Sequence, residues 1–363
     1  MLIDIIAGAR PNFMKIAPLV AAISQAKEEG RNISYRLIHT GQHYDKKLSE
    51  TFFDQLKIPK PDLNLEVGSG TQAGQTANVM IKYEAVVAET KPDLVLVVGD
   101  VNSTMACAIV AKKTGIKVAH VEAGIRSLDW SMPEEVNRVV TDAITDYFFT
   151  TTAGAGENLR KAGVPQEAIF LVGNTMIDTL LNNLPNLEQP DFWEAHQLQE
   201  KHYVVCTLHR PNNVDDAEGL RILVQEIASS ANGLPVVFPV HPRTRKNLQT
   251  DNFPKNIILT EPLGYLEFIY LVKHARAVVT DSGGIQEETT VLGIPCITLR
   301  DNTERPETVE VGTNELIGTD PRHIKPAFDR LFAGTWKKGA VPEQWDGQAG
   351  KRIVRHLVSL FAL

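Results

Sequence analysis

Residues 118–138 of this 363-residue chain read Val-Ala-His-Val-Glu-Ala-Gly-Ile-Arg-Ser-Leu-Asp-Trp-Ser-Met-Pro-Glu-Glu-Val-Asn-Arg. The apolar beginning is typical of a buried strand that ends at Glu122, and Pro133 before two acids is typical of the start of a helix. An earlier apolar run, Leu94–Val98, leads in the same way into Gly99-Asp100. Strands that alternate with helices predict a parallel α/β sheet, whose ligands bind at the carboxyl ends of the strands.

This interpretation places three acids at the carboxyl ends of the strands or at the start of the next helix. Asp100 and Glu122 end neighbouring strands of the predicted sheet, and Glu134 begins the helix that comes next. Carboxyl groups that lie close together make one another harder to ionise, so one can donate a proton while another accepts one. The three acids therefore predict proton transfer at this edge of the sheet.

The same alternation of apolar runs and amphipathic segments covers the rest of the chain. The predicted strands are Leu2–Ala7, Tyr35–His39, Leu94–Val98, Val118–Glu122, Tyr147–Thr150, Tyr203–Thr207, Val236–Val240, Ile257–Leu259, Ala277–Thr280 and Cys296–Leu299. The helices predicted in the first half are Met14–Ala26, Ala73–Glu89, Ser103–Lys113, Glu134–Ala143 and Ala155–Lys161. The pattern predicts two doubly wound, Rossmann-like domains that face a cleft, residues 1–180 and 181–349, with a C-terminal helix 350–363 packing back on the first.

Composition excludes several classes of protein. The formal net charge of −7 argues against nucleic-acid binding. No apolar run approaches the ~20 residues of a membrane span, and the first residues lack the features of a signal peptide. The three cysteines, far apart in apolar segments, are typical of a reduced cytoplasmic protein, and no histidine pair has the spacing of a metal site.

Two loops resemble anion sites. The first strand leads into Gly8–Lys15, which places Arg10 and Lys15 near a predicted helix N-terminus, where backbone N–H groups attract anions. An ordinary loop with solvated charges is the alternative there, and the absence of a G-x-G-x-x-G pattern argues against a dinucleotide. In the second half, Thr280–Glu288 repeats the arrangement with small residues.

The second loop predicts a nucleotide site in more detail. The Ser282 hydroxyl and the amides of Gly283 and Gly284 suit a diphosphate, and the Glu288 carboxylate suits the two hydroxyls of a ribose. Arg305 is a further source of positive charge for the same phosphates. A glycine turn before an acidic helix is the structural alternative.

His209 follows the first strand of the second half, where a histidine can carry protons or contact a phosphate. His241, before Pro242, has a similar position with less support. A purely structural histidine is the alternative at both positions.

With these motifs in place, the chain resembles the non-hydrolysing UDP-N-acetylglucosamine 2-epimerases over essentially its whole length. The matching motifs are Gly8–Lys15, Gly41-Gln42-His43, Gly99-Asp100, His120–Glu122, Pro133–Arg138, Gly173-Asn174-Thr175, Thr207–Arg210, Asp281–Glu288 and Thr303–Glu307. The resemblance implies a fold shared with GT-B glycosyltransferases, UDP bound mainly by the C-terminal domain, a homodimer and no redox cofactor. It also implies catalytic roles for Asp100, Glu122, Glu134 and His209, and substrate-binding roles for Arg10, Lys15, Phe268, Ser282, Gly283, Gly284, Glu288 and Arg305.

The resemblance implies interconversion of UDP-GlcNAc and UDP-ManNAc, with departures that concern substrate and regulation. Members activated by a second substrate molecule carry a cation where this chain has Pro61–Ile81, which contains no Lys or Arg. Residues Val67–Gln75 resemble a branch that acts on UDP-2,3-diacetamido-2,3-dideoxyglucuronic acid. A hydrolysing epimerase and a GT-B glycosyltransferase remain alternatives, although the latter has no need of three acids.

Overall fold

The computed structural model describes residues 1–41, 53, 55–240, 242–248 and 253–363. The chain divides into two compact units. The first comprises Met1–Asn182 together with Glu343–Leu363, and the second comprises Asn183–Pro342. Residues 343–349 thus group with the first unit rather than with the second.

The first unit contains a seven-stranded sheet with the order β3-β2-β1-β4-β5-β6-β7. Every neighbouring pair is parallel. The strands are β1 Leu2–Ala7, β2 Ser34–His39, β3 Leu63–Asn64, β4 Leu94–Val98, β5 Lys117–Val121, β6 Tyr147–Thr150 and β7 Ile169–Leu171. The helices up to the unit boundary are α1 Arg10–Glu28, α2 Gln72–Glu89, α3 Asn102–Lys113, α4 Pro133–Ala143, α5 Ala153–Lys161 and α6 Thr175–Asn183.

The second unit contains a six-stranded sheet with the order β10-β9-β8-β11-β12-β13, again parallel throughout. Its strands are β8 Val204–Thr207, β9 Val236–Pro239, β10 Ile257–Thr260, β11 Ala277–Thr280, β12 Cys296–Thr298 and β13 Asn314–Leu316. Its helices are α7 Phe192–Ala195, α8 Pro211–Val214, α9 Ala217–Ser230, α10 Pro242–Arg245, α11 Tyr265–His274, α12 Gly283–Leu292, α13 Pro306–Glu310 and α14 Ile324–Phe332. Short 3₁₀ turns are Gln166–Ala168, Leu184–Asn186 and Pro321–His323.

The predicted α/β class with two doubly wound sheets is confirmed. In each sheet the strand order reverses beside the first strand, between β1 and β4 and between β8 and β11. These reversals are the switch points at which loops diverge and leave a crevice for ligands. The fully buried run Leu94–Val98 reflects a central parallel strand with helices on both faces.

Some predicted boundaries are wrong. Helix α1 begins at Arg10 rather than Met14, because Pro11 is favourable in the first helical turn. Strand β5 ends at Val121, so Glu122 is the first residue of the following loop. The short strands β3, β7 and β13 have no counterpart among the predicted strands.

The last helix, α15 Ala349–Leu360, belongs to the first unit. The Asp178 carboxylate on α6 accepts the backbone N–H groups of Ala349 and Gly350 at 3.0 and 2.7 Å. These bonds satisfy amides that a helix N-terminus otherwise leaves without partners. Among the helices in the described part of the chain, none is long and apolar enough to cross a membrane.

Candidate active site

Helix α4 buries polar residues instead of an apolar stripe. Its buried side chains are Glu135, Asn137, Arg138, Thr141 and Asp142. Buried charges are costly unless they are paired, so this face must meet partners of complementary charge. Buried polar clusters of this kind occur both at functional sites and in structural ion-pair networks.

Arg138 is the central cation of this face. Its guanidinium donates to Oδ2 of Asp100 from Nε at 3.0 Å and from NH2 at 2.5 Å, and to Oε2 of Glu135 at 2.7 Å. Asn137 Nδ2 donates to the Asp100 backbone carbonyl at 2.8 Å. The predicted acid Asp100 is therefore paired with a cation and held in one orientation, with its side chain 21% exposed.

Glu135 anchors the loop ahead of α4. Its carboxylate accepts the backbone N–H groups of Ser127 and Leu128 at 2.9 and 3.0 Å, in addition to the Arg138 bond. Burial raises the pKa of Glu135, but these hydrogen bonds outweigh burial, and the pKa lies below its ordinary value. Glu135 is thus a structural anion beside the predicted catalytic residue Glu134.

Glu122 forms the second ion pair of the site. The Lys15 ammonium lies 2.5 Å from Oε2 of Glu122, and both side chains are buried. Glu122 has a φ of 73°, a left-handed conformation that costs energy in a residue other than glycine and that is frequent at functional sites. Lys15 lies in the second turn of α1 rather than at its N-terminus, which corrects the prediction and explains why it reaches a carboxylate.

Gly99 leaves room for the Lys15 side chain. A Cβ at this position would lie 3.1 Å from Lys15 Nζ, and the residue has a φ of 68°. Asn12 binds the adjoining loop, since its Oδ1 accepts the N–H groups of Gly8 and Ala9 and its Nδ2 donates to the Val98 carbonyl. The ends of β1 and β4 are therefore joined at the switch point, beside Asp100.

Glu134 differs from the other two acids. It is the second residue of α4, it is half-buried, and it forms no ion pair with another residue in the described ranges. Arg10 is the first residue of α1. The predicted residues Gln42, His43 and His241 lie outside the described residues.

In the second unit, His209 is joined to the end of β11. Its Nδ1 lies 2.7 Å from Oδ1 of the fully buried Asp281, which also accepts the N–H groups of His209 and Arg210 and a bond from Asn213. Burial raises the pKa of Asp281, but these donors lower it below its ordinary value. Because a carboxylate can only accept a hydrogen bond, this contact makes Nδ1 the donor and fixes the orientation of the His209 ring.

The predicted diphosphate loop begins α12. Ser282 is its N-cap, and the residues Ser282, Gly283 and Gly284 are partly buried. A Cβ on Gly283 would lie 2.6 Å from Oε1 of Glu304, so a larger residue would displace that carboxylate. The helix therefore presents its N-terminal amides at the β8–β11 switch point, as an anion requires.

Buried charges surround this helix start. Arg305 lies 2.5 Å from Oε1 of Glu287, and Arg300 lies 2.6 Å from Oε2 of Glu304. Burial raises the pKa of Glu304, but the neighbouring arginines hold it well below its ordinary value. The predicted phosphate partner Arg305 is thus a buried cation that already neutralises a carboxylate.

Glu288 and Phe268 lie on neighbouring helices of the second unit. Burial raises the pKa of Glu288 to about 8, and the Tyr265 hydroxyl donates to its Oε1 at 3.2 Å. Phe268 is partly buried and packs against the core that includes Val278 and Ile285. Within the described ranges, no cluster of three or more His, Cys, Asp or Glu side chains is arranged to hold a metal ion.

Fold and site together define a two-domain α/β enzyme of the doubly wound type, with polar clusters at the switch points of both sheets. The sequence profile of the UDP-N-acetylglucosamine 2-epimerase family matches residues 25–358. A UDP-N-acetylglucosamine 2-epimerase of Methanocaldococcus jannaschii is 43% identical, covering 98% of this chain and 99% of the relative. The chain belongs to this family, which confirms the resemblance.

Two further comparisons concern a solved structure and a relative that is named for a different sugar. The crystal structure of the Methanocaldococcus jannaschii UDP-GlcNAc 2-epimerase in complex with UDP-GlcNAc and UDP has a TM-score of 0.87, covering 99% of this chain and all of that one. A UDP-2,3-diacetamido-2,3-dideoxy-D-glucuronate 2-epimerase of Pseudomonas aeruginosa is 38% identical over 98% of this chain and 99% of the relative. The relatives of this chain are thus named for two different UDP-sugars.

Proposed function

We propose that this enzyme interconverts UDP-GlcNAc and UDP-ManNAc by elimination and re-addition of UDP. The observation that carries the mechanism is the presence of two ion-paired carboxylates, Asp100 with Arg138 and Glu122 with Lys15, after adjacent strands. Each lies against a cation, and both occur where parallel sheets bind ligands. The substrate assignment follows the Methanocaldococcus jannaschii relative.

The chemistry explains why such groups are needed. The hydrogen on C2 of a 2-acetamido sugar has no adjacent carbonyl carbon, so its direct removal is slow. Departure of UDP from C1 leaves an oxocarbenium-like centre that acidifies this hydrogen, and a carboxylate base then takes the proton to give a 2-acetamidoglycal. Protonation of C2 from the opposite face and return of UDP to C1 complete the inversion. Asp100, Glu122 and Glu134 would supply and accept these protons.

The second unit would hold the leaving nucleotide. The amides of Ser282, Gly283 and Gly284 suit the diphosphate, with Arg305 as a further cation and Glu288 as the group that suits the ribose. Phe268 would contact the base. His209, whose Nδ1 is fixed by Asp281, would neutralise the negative charge that develops on the departing UDP.

The decisive experiment is proton NMR of the enzyme with UDP-GlcNAc in deuterated water. Elimination predicts that the C2 proton signal disappears as UDP-ManNAc forms, because the proton returned to C2 comes from solvent. Inversion with full retention of the original hydrogen, or only after NAD is added, would contradict the mechanism. No reaction without an acceptor would favour a glycosyltransferase, and accumulation of free N-acetylmannosamine and UDP would favour a hydrolysing epimerase.

A second substrate has specific support. The Pseudomonas aeruginosa relative named for UDP-2,3-diacetamido-2,3-dideoxy-D-glucuronate is 38% identical to this chain, and the chemistry at C2 is the same for both sugars. Rates with the two UDP-sugars at equal concentration would decide between them. A higher kcat/KM for the diacetamido uronate would replace UDP-GlcNAc as the proposed substrate.

We further propose a cytoplasmic homodimer that serves polysaccharide biosynthesis. A surface cavity of about 580 Å³ among α2, α3 and α4 is lined by apolar side chains that include Met80, Trp130 and Val136. Trp130, which is 65% exposed, is continuous with this apolar lining, and a contiguous apolar surface is typical of a contact between proteins. Sedimentation that gives only a 40.1 kDa species at assay concentration would contradict the dimer.

A further inference from the structure

His120 is a fully buried histidine in β5 whose two ring nitrogens both lie against oxygen atoms. Nε2 lies 2.8 Å from the backbone carbonyl of Gly99, and Nδ1 lies 2.7 Å from Oδ1 of Asp142. A carbonyl oxygen can only accept a hydrogen bond, so Nε2 must carry a proton. The state of Nδ1 then depends on Asp142.

Asp142 is an ionised carboxylate. Its Oδ2 accepts the Gly124 N–H at 3.1 Å and lies 2.6 Å from the Arg126 guanidinium. Burial raises the pKa of Asp142, and the hydrogen bond and charge of His120, followed by the charge of Arg126, bring it below its ordinary value. Independently of His120, the Gly124 N–H and the Arg126 guanidinium at Oδ2 favour the ionised carboxylate. A carboxylate without a proton cannot donate, so Nδ1 of His120 must also be a donor.

The bonds of His120 reach the residue before Asp100. Gly99 has a φ of 68°, and its carbonyl is the acceptor of the Nε2–H group. On the other side, the Asp142 carboxylate holds the Gly124 amide two residues beyond Glu122. One charged network therefore spans the turns that present both ion-paired acids.

We propose that His120 is a doubly protonated positioning residue, whose imidazolium fixes the Gly99–Asp100 turn relative to Asp142 on α4. This role rests on the proposed function, because the geometry that it preserves is that of the acid–base groups. His120 does not contact substrate. Its loss should displace the Asp100 carboxylate, and a displacement of about 1 Å can lower turnover by up to ~10².

The kinetic test is His120→Gln, which can replace one N–H donor but not both and carries no charge. We expect kcat to fall about 10-fold or more with KM and UDP affinity unchanged. The control is Val118→Ala, two residues earlier in β5, where a fully buried side chain packs in the core with Val95 and Val97. This variant loses stability without losing any bond to Gly99.

Equal losses of kcat in the two variants, or wild-type kcat in His120→Gln, would overturn the positioning role.

The protonation state of His120 is measured separately, by NMR of ¹⁵N-histidine-labelled enzyme without substrate at neutral pH. We expect one histidine, identified by its absence in His120→Gln, with protons on both ring nitrogens. A single ring proton would overturn the proposal. An inactive wild-type enzyme would instead contradict the proposed function, and the NMR result would still decide the charge of His120.

Discussion

Asp100, Glu122 and Glu134 are chemically similar acids in different environments. Asp100 accepts two bonds from Arg138, Glu122 lies against Lys15, and Glu134 is half-buried near the start of α4. Mutual repulsion of clustered acids, expected from the sequence, is therefore opposed by a cation beside each of the first two. Asp100 and Glu122 therefore differ from Glu134 in that each lies against a buried cation.

Replacing each acid by its amide should separate chemistry from binding. Asp100→Asn, Glu122→Gln and Glu134→Gln should each lower kcat by ~10² or more, because the amide cannot exchange a proton. UDP affinity, measured by calorimetry, should be unchanged. Glu288→Ala should give the reverse pattern, with weaker UDP binding as its first effect.

The matched control for the amide variants is Glu157→Gln, an acid of the same unit that pairs with Arg160 on the surface. This variant should have wild-type kcat. A Glu122→Gln enzyme with full turnover would remove Glu122 from the acid–base assignment.

Glu288 should make the stability of the second unit depend on pH. Its pKa is about 8 in the folded protein against an ordinary value of 4.5. Between these values the folded state keeps a proton that the unfolded chain has lost, so the free energy of unfolding falls as pH rises through this window. Glu288→Gln retains an acceptor for Tyr265 without the ionisation. Its thermal midpoint should therefore fall less than that of the wild type between pH 5 and pH 8, by about 2 °C or more.

Glu310→Gln is the control, because Glu310 is an exposed acid of the same unit. The thermal midpoint of Glu310→Gln should fall by as much as that of the wild type between pH 5 and pH 8. If Glu288→Gln does the same, the Glu288 carboxyl does not stay protonated in the folded enzyme.

The sequence identifies which acids follow strands, but it does not identify their partners. Asp100 and Glu122 are predictable because a carboxylate after an apolar run falls at the ligand-binding edge of a parallel sheet. Arg138 lies 38 residues from Asp100 along the chain, and Asp281 lies 72 from His209. Such pairs depend on tertiary structure, and the only local signal was the polar character of the α4 face.

The contact between helices α15 and α1 depends on a glycine. Gly350 is the second residue of α15, and a Cβ there would lie 2.7 Å from the backbone carbonyl of Pro18 in α1. Gly350→Ala must therefore push the helices apart or strain the backbone. We expect it to lower the free energy of unfolding by about 1–3 kcal/mol in urea denaturation.

Gly154→Ala is a matched control at the second position of α5. The nearest atom to its Cβ would be Thr152 Oγ1 at 3.9 Å, so the methyl group fits. Because alanine favours a helix over glycine, this variant should be unchanged or more stable by up to ~1 kcal/mol. Equal destabilisation of both variants would show that the α1–α15 contact is not tight.

The accuracy of the predicted elements follows from how each is buried. Strands such as β4 and β11 are buried on both faces, so their continuous apolar sequences are recognisable. The strands β3, β7 and β13 have only two or three residues and are partly exposed, whereas the equally short β12, which the sequence predicts, is fully buried. They become strands because a neighbour already in the sheet offers them hydrogen bonds.

The two units share the same sheet topology. Each sheet reverses its strand order beside its first strand, and each places a helix start or a paired carboxylate at that reversal. The charges differ, since the first unit presents acids held by cations and the second presents helix amides beside buried arginines. The proposed division between proton transfer and nucleotide binding follows this difference.

The whole enzyme should lack activation by a second UDP-sugar. The segment Pro61–Ile81 has no Lys or Arg, and the next residue, Lys82, donates to the carbonyls of Leu65 and Glu66 at 2.6 and 3.0 Å. Its ammonium is thus engaged by the backbone of this segment. Two cations elsewhere in the chain are also engaged, since Lys15 lies against Glu122 and Arg210 donates to the Asp281 carbonyl.

We therefore expect initial rates that are hyperbolic in UDP-GlcNAc, and reverse turnover from UDP-ManNAc without added UDP-GlcNAc. Initial rates over a wide range of substrate concentration test both statements, with Lys82→Met as a control that should leave the shape of the curve unchanged. A sigmoidal curve, or a reverse reaction that starts only after trace UDP-GlcNAc is added, would show that a second site exists. If the wild type is sigmoidal and the Lys82→Met variant is hyperbolic, Lys82 is the cation of that site. Lys82 is the residue that directly follows Pro61–Ile81.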